Sequence, residues 1–304
     1  MALTTTGVGA IGQATVLEKA KAYVTLTKPR IIELLLVTTV PTMVVAARGV
    51  PPVGLILATL VGGTLAAGGA NAINMYVDRD IDAVMHRTAR RPLVTGVVTP
   101  RAALTFAVAL EVAAFVELTA LVNLLSAVLA VTATLFYVFV YTLWLKRTSA
   151  QNIVIGGAAG AMPVLVGWAA VRDSLGLAPV VLFLLIFVWT PPHFWALAIR
   201  YRSDYEAAEV PMLPVVMSLE GTARRIVAYT LVLWATSLLF GAVGGVGDIY
   251  WVAAVVLGAV FLLYALRLSW ERTEARAMQL FAWSITYVTL LFAAIAVDQI
   301  VRHA

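Results

Sequence analysis

Three side chains that carry oxygen atoms recur at intervals of four residues, at Asn74, Asp78 and Asp82. On a continuous α-helix this spacing places them on one stripe, each about 6 Å further along the axis. Magnesium prefers hard oxygen ligands of this kind and completes its shell with water and substrate phosphates. The pattern therefore predicts a magnesium site, with Asp80 on the other side of the helix. The alternative is a solvated acidic helix end that is balanced by neighbouring arginines.

Basic side chains follow this acidic segment and return at the end of a later apolar stretch. Arg87 and Arg91 carry guanidinium groups, whose paired N–H donors match the oxygens of a phosphate. Lys146 and Arg147 would close the same site from a second direction. These four residues are predicted to bind a diphosphate. The alternative for each pair is the ordinary anchoring of a helix end at a membrane surface.

A second acidic segment and a histidine inside an apolar stretch are further candidates. Asp204 could supply a second metal site, but Ala208 stands four residues later, where a partner carboxylate would be expected. Glu206 or Glu209 could take that part. His193 follows two prolines and could face a polar ligand or coordinate iron. The alternative for His193 is a buried imidazole that is hydrogen-bonded to another helix.

The elements that position these residues are predicted to be membrane-spanning helices. Of the 304 residues, 62% are apolar and 12% are charged, and the mean hydropathy is +0.95; soluble domains carry about 25% charged residues. The absence of cysteine excludes disulfides, thiolate zinc sites and iron–sulfur ligation. At about 20 residues per crossing, nine spans are predicted at about 31–47, 53–77, 102–119, 121–144, 152–171, 178–199, 224–244, 249–268 and 278–298.

The distribution of basic residues predicts the orientation of these spans. With a cytoplasmic amino terminus, only Arg48, Arg172 and Arg302 of the 21 Lys and Arg residues fall on the opposite side. Positive charge is typically retained on the cytoplasmic side, so the net charge of +5 indicates topology rather than a nucleic-acid partner. The amino-terminal residues lack the pattern of a signal or transit peptide, which favours a bacterial plasma membrane. The predicted organisation is a cytoplasmic segment 1–30, one membrane domain 31–299 and a short extracytoplasmic tail 300–304.

The acidic and basic segments together predict a class of substrate. Both acidic segments and most of the basic residues fall on the predicted cytoplasmic rim, beside a membrane-embedded apolar interior. A lipid-tailed diphosphate fits this division, because its head group is anionic and its prenyl chain is apolar. Magnesium would neutralise the departing diphosphate while the allylic C–O bond ionises.

Several strings of residues resemble the UbiA-type intramembrane prenyltransferase superfamily. The spacing of Asn74, Asp78 and Asp82 is similar to the first motif of that superfamily. Longer strings, within about residues 26–298, resemble one branch, the protohaem IX farnesyltransferases, and the most specific is WTPPHFWALAI from Trp189. The others are LTKPR from Leu26, MHRTARRPL from Met85, YTLWLKRTSAQNIVIGGAAGAMP from Tyr141, DYEAAEVPMLPVV from Asp204 and FAWSITYVTLLF from Phe281.

The resemblance implies a fold and a reaction. The fold would be nine transmembrane helices around a central cavity that opens to the cytoplasmic face. The reaction would be Mg²⁺-dependent transfer of the farnesyl group of farnesyl diphosphate to a vinyl group of protohaem IX (haem B). Water would add as well, giving the hydroxyethylfarnesyl haem O that haem–copper terminal oxidases need. A haem A synthase or a terminal oxidase assembly would then be a partner.

The resemblance also implies roles for individual residues. Asn74, Asp78 and Asp82 would hold magnesium and diphosphate, and Asp204 would belong to a second motif, so that two Mg²⁺ ions are expected. The superfamily has a second aspartate where Ala208 stands in this chain, which weakens the second motif. His193 would contact the haem, which is a substrate here and not a cofactor.

Three other functions remain open from the sequence. A transporter also needs a polar cavity in a helical bundle, but it would place acids near mid-membrane, whereas the acidic clusters here fall at one rim. Another branch of the superfamily would prenylate a quinone precursor or chlorophyllide. A non-catalytic haem-handling protein would need neither Asp78 nor magnesium.

Overall fold

The computed structural model describes residues 15–303, apart from the side chains at positions 31 and 34–36. Within this part of the chain all regular structure is helical, and no strand is present. The start of the predicted cytoplasmic segment, residues 1–14, and residue 304 of the predicted tail lie outside the described residues. The all-helical fold class is confirmed.

Thirteen helices follow one another between residues 15 and 303. They are α1 Val16–Thr27, α2 Pro29–Ala47, α3 Val53–Val77, α4 Arg79–Val84, α5 Pro100–Leu121, α6 Leu124–Thr148, α7 Asn152–Arg172, α8 Leu177–Arg200, α9 Arg202–Ala207, α10 Leu213–Val216, α11 Leu219–Val243, α12 Asp248–Glu271 and α13 Glu274–His303. In the described residues eight of them, α3, α5 to α8 and α11 to α13, are long and apolar enough to cross a membrane. The first predicted span falls in α2, whose described apolar part is the shorter Val37–Ala47, so the count of nine stays a prediction.

The helix ends differ from the predicted ones where polar residues continue a helix beyond its apolar part. Helix α6 extends to Thr148, four residues past the predicted span, and its segment Phe136–Leu145 is π-helical. Helix α13 continues to His303, so the predicted tail is helical as far as it is described. Helix α1 lies in the predicted cytoplasmic segment 1–30 and begins with a capping box between Thr15 and Glu18.

The long helices pack into a bundle in which α8 is the innermost and α5 the outermost. In the most apolar part of α8, 50% of the residues are buried inside the protein, compared with 17% in α5. Helix α8 contacts α7, α11 and α13, while α2 contacts α3, α7 and α13. Fully buried aromatic side chains, among them Trp195, Tyr250 and Tyr287, fill the core on the α8 side. The large apolar side chains that remain exposed are those expected to face lipid.

Two glutamates correct the expectation that the acids cluster at one rim. Glu111 and Glu117 lie within the apolar helix α5, where a Cβ atom added to Gly69 or Gly62 of α3 would clash with their carboxylate oxygens. Thr134 of α6 donates a hydrogen bond of 3.1 Å to Glu111 Oε1. Small residues on α3 thus leave room for acidic side chains, which serve the packing of α3 against α5.

The contact between α7 and α2 gives a test of this packing. A Cβ atom at Gly167 would lie 2.8 Å from the backbone oxygen of Thr39 in α2, whereas one at Gly54 would meet nothing within 4 Å. Gly167→Ala is therefore expected to destabilise the protein by about 1–3 kcal/mol through overpacking. Gly54→Ala should be neutral or stabilising, since alanine favours a helix. Thermal unfolding in detergent checks this pair, and equal melting temperatures would contradict the close packing.

Candidate active site

The predicted stripe of polar residues is formed where α3 ends. Helix α3 ends at Val77, yet the backbone N–H of Asp78 still donates to Asn74 O at 2.9 Å, and that of Asp82 to Asp78 O at 2.8 Å. The helical register therefore continues through the junction with α4. The relative exposures of Asn74, Asp78 and Asp82 are only 3%, 0% and 2%. The alternative of a solvated helix end is wrong for these three residues.

Each buried carboxylate on the stripe is paired with a cation from another segment of the chain. Lys146, at the end of α6, forms an ion pair with Asp78 Oδ2. Arg91, in the loop between α4 and α5, donates from Nη1 to Asp82 Oδ2 at 2.5 Å. Charges taken out of water need such partners. The structure thus brings together four of the predicted site residues, together with Asn74.

Asn74 connects the carboxylates to Thr142 and Lys28, neither of which was predicted to belong to the site. Its side-chain nitrogen donates to Asp78 Oδ2 at 2.8 Å and to Thr142 Oγ1 at 3.1 Å. Its side-chain oxygen accepts a hydrogen bond of 2.7 Å from Lys28 Nζ. Burial and the nearby cations Arg91 and Lys146 lower the pKa of Lys28 to about 7. The surplus of positive charge around the carboxylates favours an anionic ligand.

Arg147 lies at the outer edge of the polar cluster that consists of Lys28, Asn74, Asp78, Asp82, Arg91 and Lys146. Its guanidinium donates to both carboxylate oxygens of Asp80 at 2.7 Å and to Val77 O at 3.2 Å. The side chain of Asp80 is 60% exposed, as its place off the stripe predicts. The Arg147 guanidinium lowers the pKa of Asp80 to about 2. Arg147 is therefore tied to the rim, 3.8 Å from Asp78 Oδ1.

The carboxylate of Asp78 is suited to a metal ion. Its Oδ1 atom is buried and makes no hydrogen bond within the described chain. An unsatisfied buried carboxylate oxygen is costly, and a divalent cation would satisfy it. In residues 15–303 no group of three His, Cys, Asp or Glu side chains is close enough to hold a metal by itself. Asp78 and Asp82 could still hold Mg²⁺, because magnesium takes its other ligands from phosphates and water.

Asp204 and Arg87 join the second acidic segment to the first. The backbone N–H of Arg87 donates to Asp204 Oδ2 at 3.0 Å, which fixes the loop after α4 to α9. The Arg87 guanidinium lies over the ring of Tyr201, 5.1 Å from its centroid, and within 3.4 Å of Tyr205 Oη. Burial raises the pKa of Tyr205, whose hydroxyl is close enough to Arg87 and Arg91 to be influenced by both. Tyr201 and Tyr205 were not predicted to belong to the site.

An apolar tunnel begins next to Asn74. It lies among α2, α3, α6 and α7 and reaches from Asn71 and Tyr137 at one end to Thr59 and Val166 at the other. At 1.5 Å per residue, the distance along α3 from Asn71 to Thr59 is about 18 Å. The walls consist mainly of alanines and glycines, namely Gly63, Ala66, Ala67, Ala70, Ala130, Ala133, Ala159 and Gly160. Small side chains leave an elongated space that suits an apolar chain.

The π-helical part of α6 contributes residues to both the tunnel wall and the polar cluster. Thr142 Oγ1 donates to Tyr137 O, five residues earlier, at 2.8 Å and accepts from Asn74. The rings of Tyr137 and Tyr141 stack with centroids 5.4 Å apart, and Tyr141 lies against Gly156 of α7. Segments of π-helix are frequent at functional sites. Here the changed register places Tyr137 in the tunnel wall and Thr142 beside the stripe.

His193 lies apart from the cluster, between α8 and α13. Its Nδ1 atom is 2.6 Å from Ser284 Oγ. Its ring stacks between Trp189 and Phe281, with centroid distances of 4.2 and 4.7 Å. The hydrogen bond to another helix, which was the alternative to a ligand contact, is therefore present, while a contact with haem stays a prediction.

Comparison with known sequences identifies the family. The family model described as the UbiA prenyltransferase family matches residues 35–292. Similar proteins include the protoheme IX farnesyltransferase of Frankia alni, 56% identical over 93% of this chain and 99% of that protein. That of Streptomyces avermitilis is 52% identical over 93% of this chain and 95% of its own length.

Solved structures show the same fold at low sequence identity. One concerns digeranylgeranylglyceryl phosphate synthase in membranes, with a TM-score of 0.76 and 18% identity over 93% of this chain and 99% of that one. Another is a UbiA homolog from Archaeoglobus fulgidus bound to GPP and Mg²⁺, with a TM-score of 0.65 and 16% identity over 90% and 99% of the two chains. The family match indicates a membrane enzyme that transfers prenyl groups, and not a transporter. This chain belongs to the UbiA prenyltransferase family.

Proposed function

We propose that this protein transfers the farnesyl group of farnesyl diphosphate to a vinyl group of protohaem IX. A C–C bond forms between farnesyl C1 and the vinyl carbon, the C–O bond to diphosphate breaks, and water adds to the second vinyl carbon. The products are haem O and diphosphate, and protohaem is consumed as a substrate. The acceptor rests on the relatives that carry the name protoheme IX farnesyltransferase and share more than half of their aligned residues with this chain.

The observation that carries the proposal is the position of the buried acidic stripe at the mouth of the apolar tunnel. Asn71 in the tunnel wall is one helical turn before Asn74 on the stripe. A farnesyl chain in the tunnel would therefore have its diphosphate among the cations around Asp78 and Asp82. The scissile bond would lie between an apolar space and a charged one, close to the ring of Tyr137.

Magnesium would be held by Asp78, Asp82 and Asp204, and two ions are proposed. The unsatisfied Oδ1 atom of Asp78 supports this assignment. Bound there, Mg²⁺ supplies charge that stabilises the departing diphosphate. Glu206 and Glu209 are close in sequence to Asp204 and are the available substitutes for the carboxylate that Ala208 lacks.

The basic residues would bind the diphosphate oxygens directly. Lys146 and Arg91 now pair with the two buried carboxylates, and each has further N–H donors to offer a phosphate. Arg87 and Arg147 lie on either side, the guanidinium of Arg87 held by Tyr201 and Tyr205 and that of Arg147 by Asp80. Lys28, between α1 and α2, bonds to Asn74 and adds a further N–H donor. Donors that are fixed before the substrate binds stabilise negative charge without reorganisation.

His193 would bind the iron of the acceptor haem. Ser284 Oγ donates its only proton to Phe281 O at 2.6 Å, so at its contact with His193 it must accept. Nδ1 of His193 then carries the proton, and Nε2 keeps a free lone pair. A neutral imidazole whose other nitrogen is held by a hydrogen bond is the usual form of a metal-ligating histidine. The stacking of Trp189 and Phe281 keeps the ring in place.

The cellular setting follows from the proposed reaction and the charge distribution. The membrane domain 31–299 would lie in a bacterial plasma membrane with nine spans, the amino terminus in the cytoplasm and the carboxyl terminus outside. The diphosphate site would open to the cytoplasm, where a water-soluble head group can be released. The product would pass to a haem A synthase or to the assembly of a terminal oxidase.

The buried carboxylate of Asp78 gives the first test of the proposed reaction. Asp78→Asn keeps the shape of the side chain but removes the charge that holds magnesium, and it should lower farnesyl transfer about 10²- to 10³-fold. The product is followed by mass spectrometry of haems from membranes supplied with protohaem, farnesyl diphosphate and Mg²⁺. Asp80→Asn, two residues away but exposed, is the matched control and should cost less than about tenfold. Equal losses in both variants would contradict the proposed role of the stripe.

The tunnel gives a test of chain-length selection. A Cβ atom at Gly160 meets nothing within 4 Å and the residue lines the tunnel, so Gly160→Leu fills space that the farnesyl chain would occupy. The variant should shift kcat/KM from farnesyl towards geranyl diphosphate by at least about tenfold. Gly54→Leu, which also has free space but lies outside the tunnel, should leave the ratio unchanged. An unaltered ratio in Gly160→Leu would place the chain elsewhere.

The proposed iron ligand can be tested by spectroscopy of bound haem. The wild-type protein should give the absorption and EPR signature of imidazole-ligated ferric haem, and His193→Ala should lose it and regain it with added imidazole. Ser284→Ala removes the partner that orients the ring and should weaken haem binding about tenfold. His86→Ala, at an exposed histidine, is the control. An imidazole signature that survives in His193→Ala would rule out this ligand.

A further inference from the structure

A second cavity lies at the ends of the helices opposite to the acidic stripe. It has a volume of about 670 Å³ and is lined by the ends of α2, α7, α11 and α13 and by the start of α8. Helix α2 begins beside Lys28, at the acidic stripe, and ends beside Arg48, at this cavity. At 1.5 Å per residue the helix separates the stripe from the cavity by about 28 Å. The cavity therefore lies outside the proposed active site.

Three arginines converge on this cavity from three separate helix ends. Arg48, Arg172 and Arg302 line it, and they are the same three basic residues that the charge distribution places on this side of the membrane. Ordinary membrane anchors would be spread around the rim of the bundle, because each needs only water or a lipid head group. Because the three arginines instead surround a single cavity, their arrangement indicates a ligand-binding site.

The pairing of these arginines leaves positive charge available. Arg302 Nη1 donates to Gly245 O at 2.8 Å, which fixes it, but in the described part of the chain Arg48 and Arg172 make no side-chain hydrogen bond or ion pair. The nearby carboxylate of Asp298 is buried and accepts from the backbone of Gly247 at 2.6 Å. No aspartate or glutamate is among the described residues that line the cavity.

The remaining lining residues show what kind of anion would fit. Val45, Ala178 and Val243 contribute apolar surface, and Trp168 adds an indole ring. Gln299 and His303 add polar groups close to the arginines. A small inorganic anion would leave the apolar part unused, whereas an amphiphile would contact both parts. Guanidinium groups match the oxygens of phosphates and carboxylates.

We propose that this cavity binds the anionic head group of a membrane amphiphile through Arg48, Arg172 and Arg302. The first source of such a group is a phospholipid with a net negative charge, since basic pockets between membrane helices take lipid phosphates. The second source is the pair of carboxylates of a haem molecule separate from the one that His193 would hold, and this one rests on the proposed function. Either ligand would bind on the side of the membrane opposite to the diphosphate.

The test uses the purified full-length protein in detergent and four probes. Phosphatidylglycerol is compared with phosphatidylcholine that has the same acyl chains, and protohaem is compared with its dimethyl ester. Arg48→Gln/Arg172→Gln removes two cavity charges. Arg101→Gln/Arg225→Gln removes two charges from exposed arginines at the other rim and serves as the control. Melting temperatures in phosphatidylcholine alone show that both double variants are folded.

Binding constants distinguish the two sources. Phosphatidylglycerol should bind the wild type and the control at least about tenfold more tightly than phosphatidylcholine, and the cavity variant should lose this preference. If protohaem competes with phosphatidylglycerol and its ester does not, haem carboxylates are the second occupant. The proposal would be overturned if the cavity variant and the control preferred phosphatidylglycerol over phosphatidylcholine equally. It would also be overturned if the wild type preferred neither phosphatidylglycerol over phosphatidylcholine nor protohaem over its dimethyl ester. Farnesyl transfer is not measured, so the result is independent of the proposed reaction.

Discussion

The burial of two carboxylates at the end of a membrane helix is the constraint on which the rest of the structure depends. Asp78 and Asp82 are almost fully withdrawn from solvent, and charged groups in that position must be compensated by cations or by a ligand. Lys146 meets this requirement from the end of another helix, and Arg91 from the loop that follows α4. The end of α6 and the loop after α4 are thereby held against α3. The Oδ1 atom of Asp78 accepts no hydrogen bond within the described residues and is 3.8 Å from Arg147, so the compensation is incomplete and a divalent cation would complete it.

The same constraint connects the charged rim to the apolar interior. Asn74, which bonds to Asp78, also bonds to Thr142 in the π-helical segment, and that segment carries Tyr137 into the tunnel wall. Helix α3 supplies the stripe at its end and small tunnel-lining residues along its length, so head-group binding and chain binding share one helix. The opposite ends of the helices form a separate basic cavity. One rim of the bundle carries the acidic stripe that is suited to a metal ion, and the other rim carries the basic cavity. The two rims can therefore bind different amphiphiles.

Periodic patterns were readable from the sequence, whereas contacts between distant segments were not. Intervals of four residues predicted the stripe, because helical periodicity is local, and hydropathy predicted the long helices. Lys28 reaches Asn74 only through the packing of α1 and α2 against α3, and its place in the string LTKPR was the one available signal. The π register of α6 and the burial of Glu111 depend on partner helices in the same way. Arg147 was predicted to bind diphosphate, yet its pairing with the exposed Asp80 is a contact that spacing cannot show.

We propose that the Asp78–Asp82 stripe and its cations form one magnesium–diphosphate site at the tunnel mouth. This site is tested by the affinity of the purified protein for farnesyl thiolodiphosphate, an unreactive analogue, measured by calorimetry across a series of Mg²⁺ concentrations. Binding should tighten as the Mg²⁺ concentration rises, and Asp82→Asn should abolish this dependence while the farnesyl chain still binds weakly. Binding that is equally tight in EDTA, and unchanged in Asp82→Asn, would contradict it.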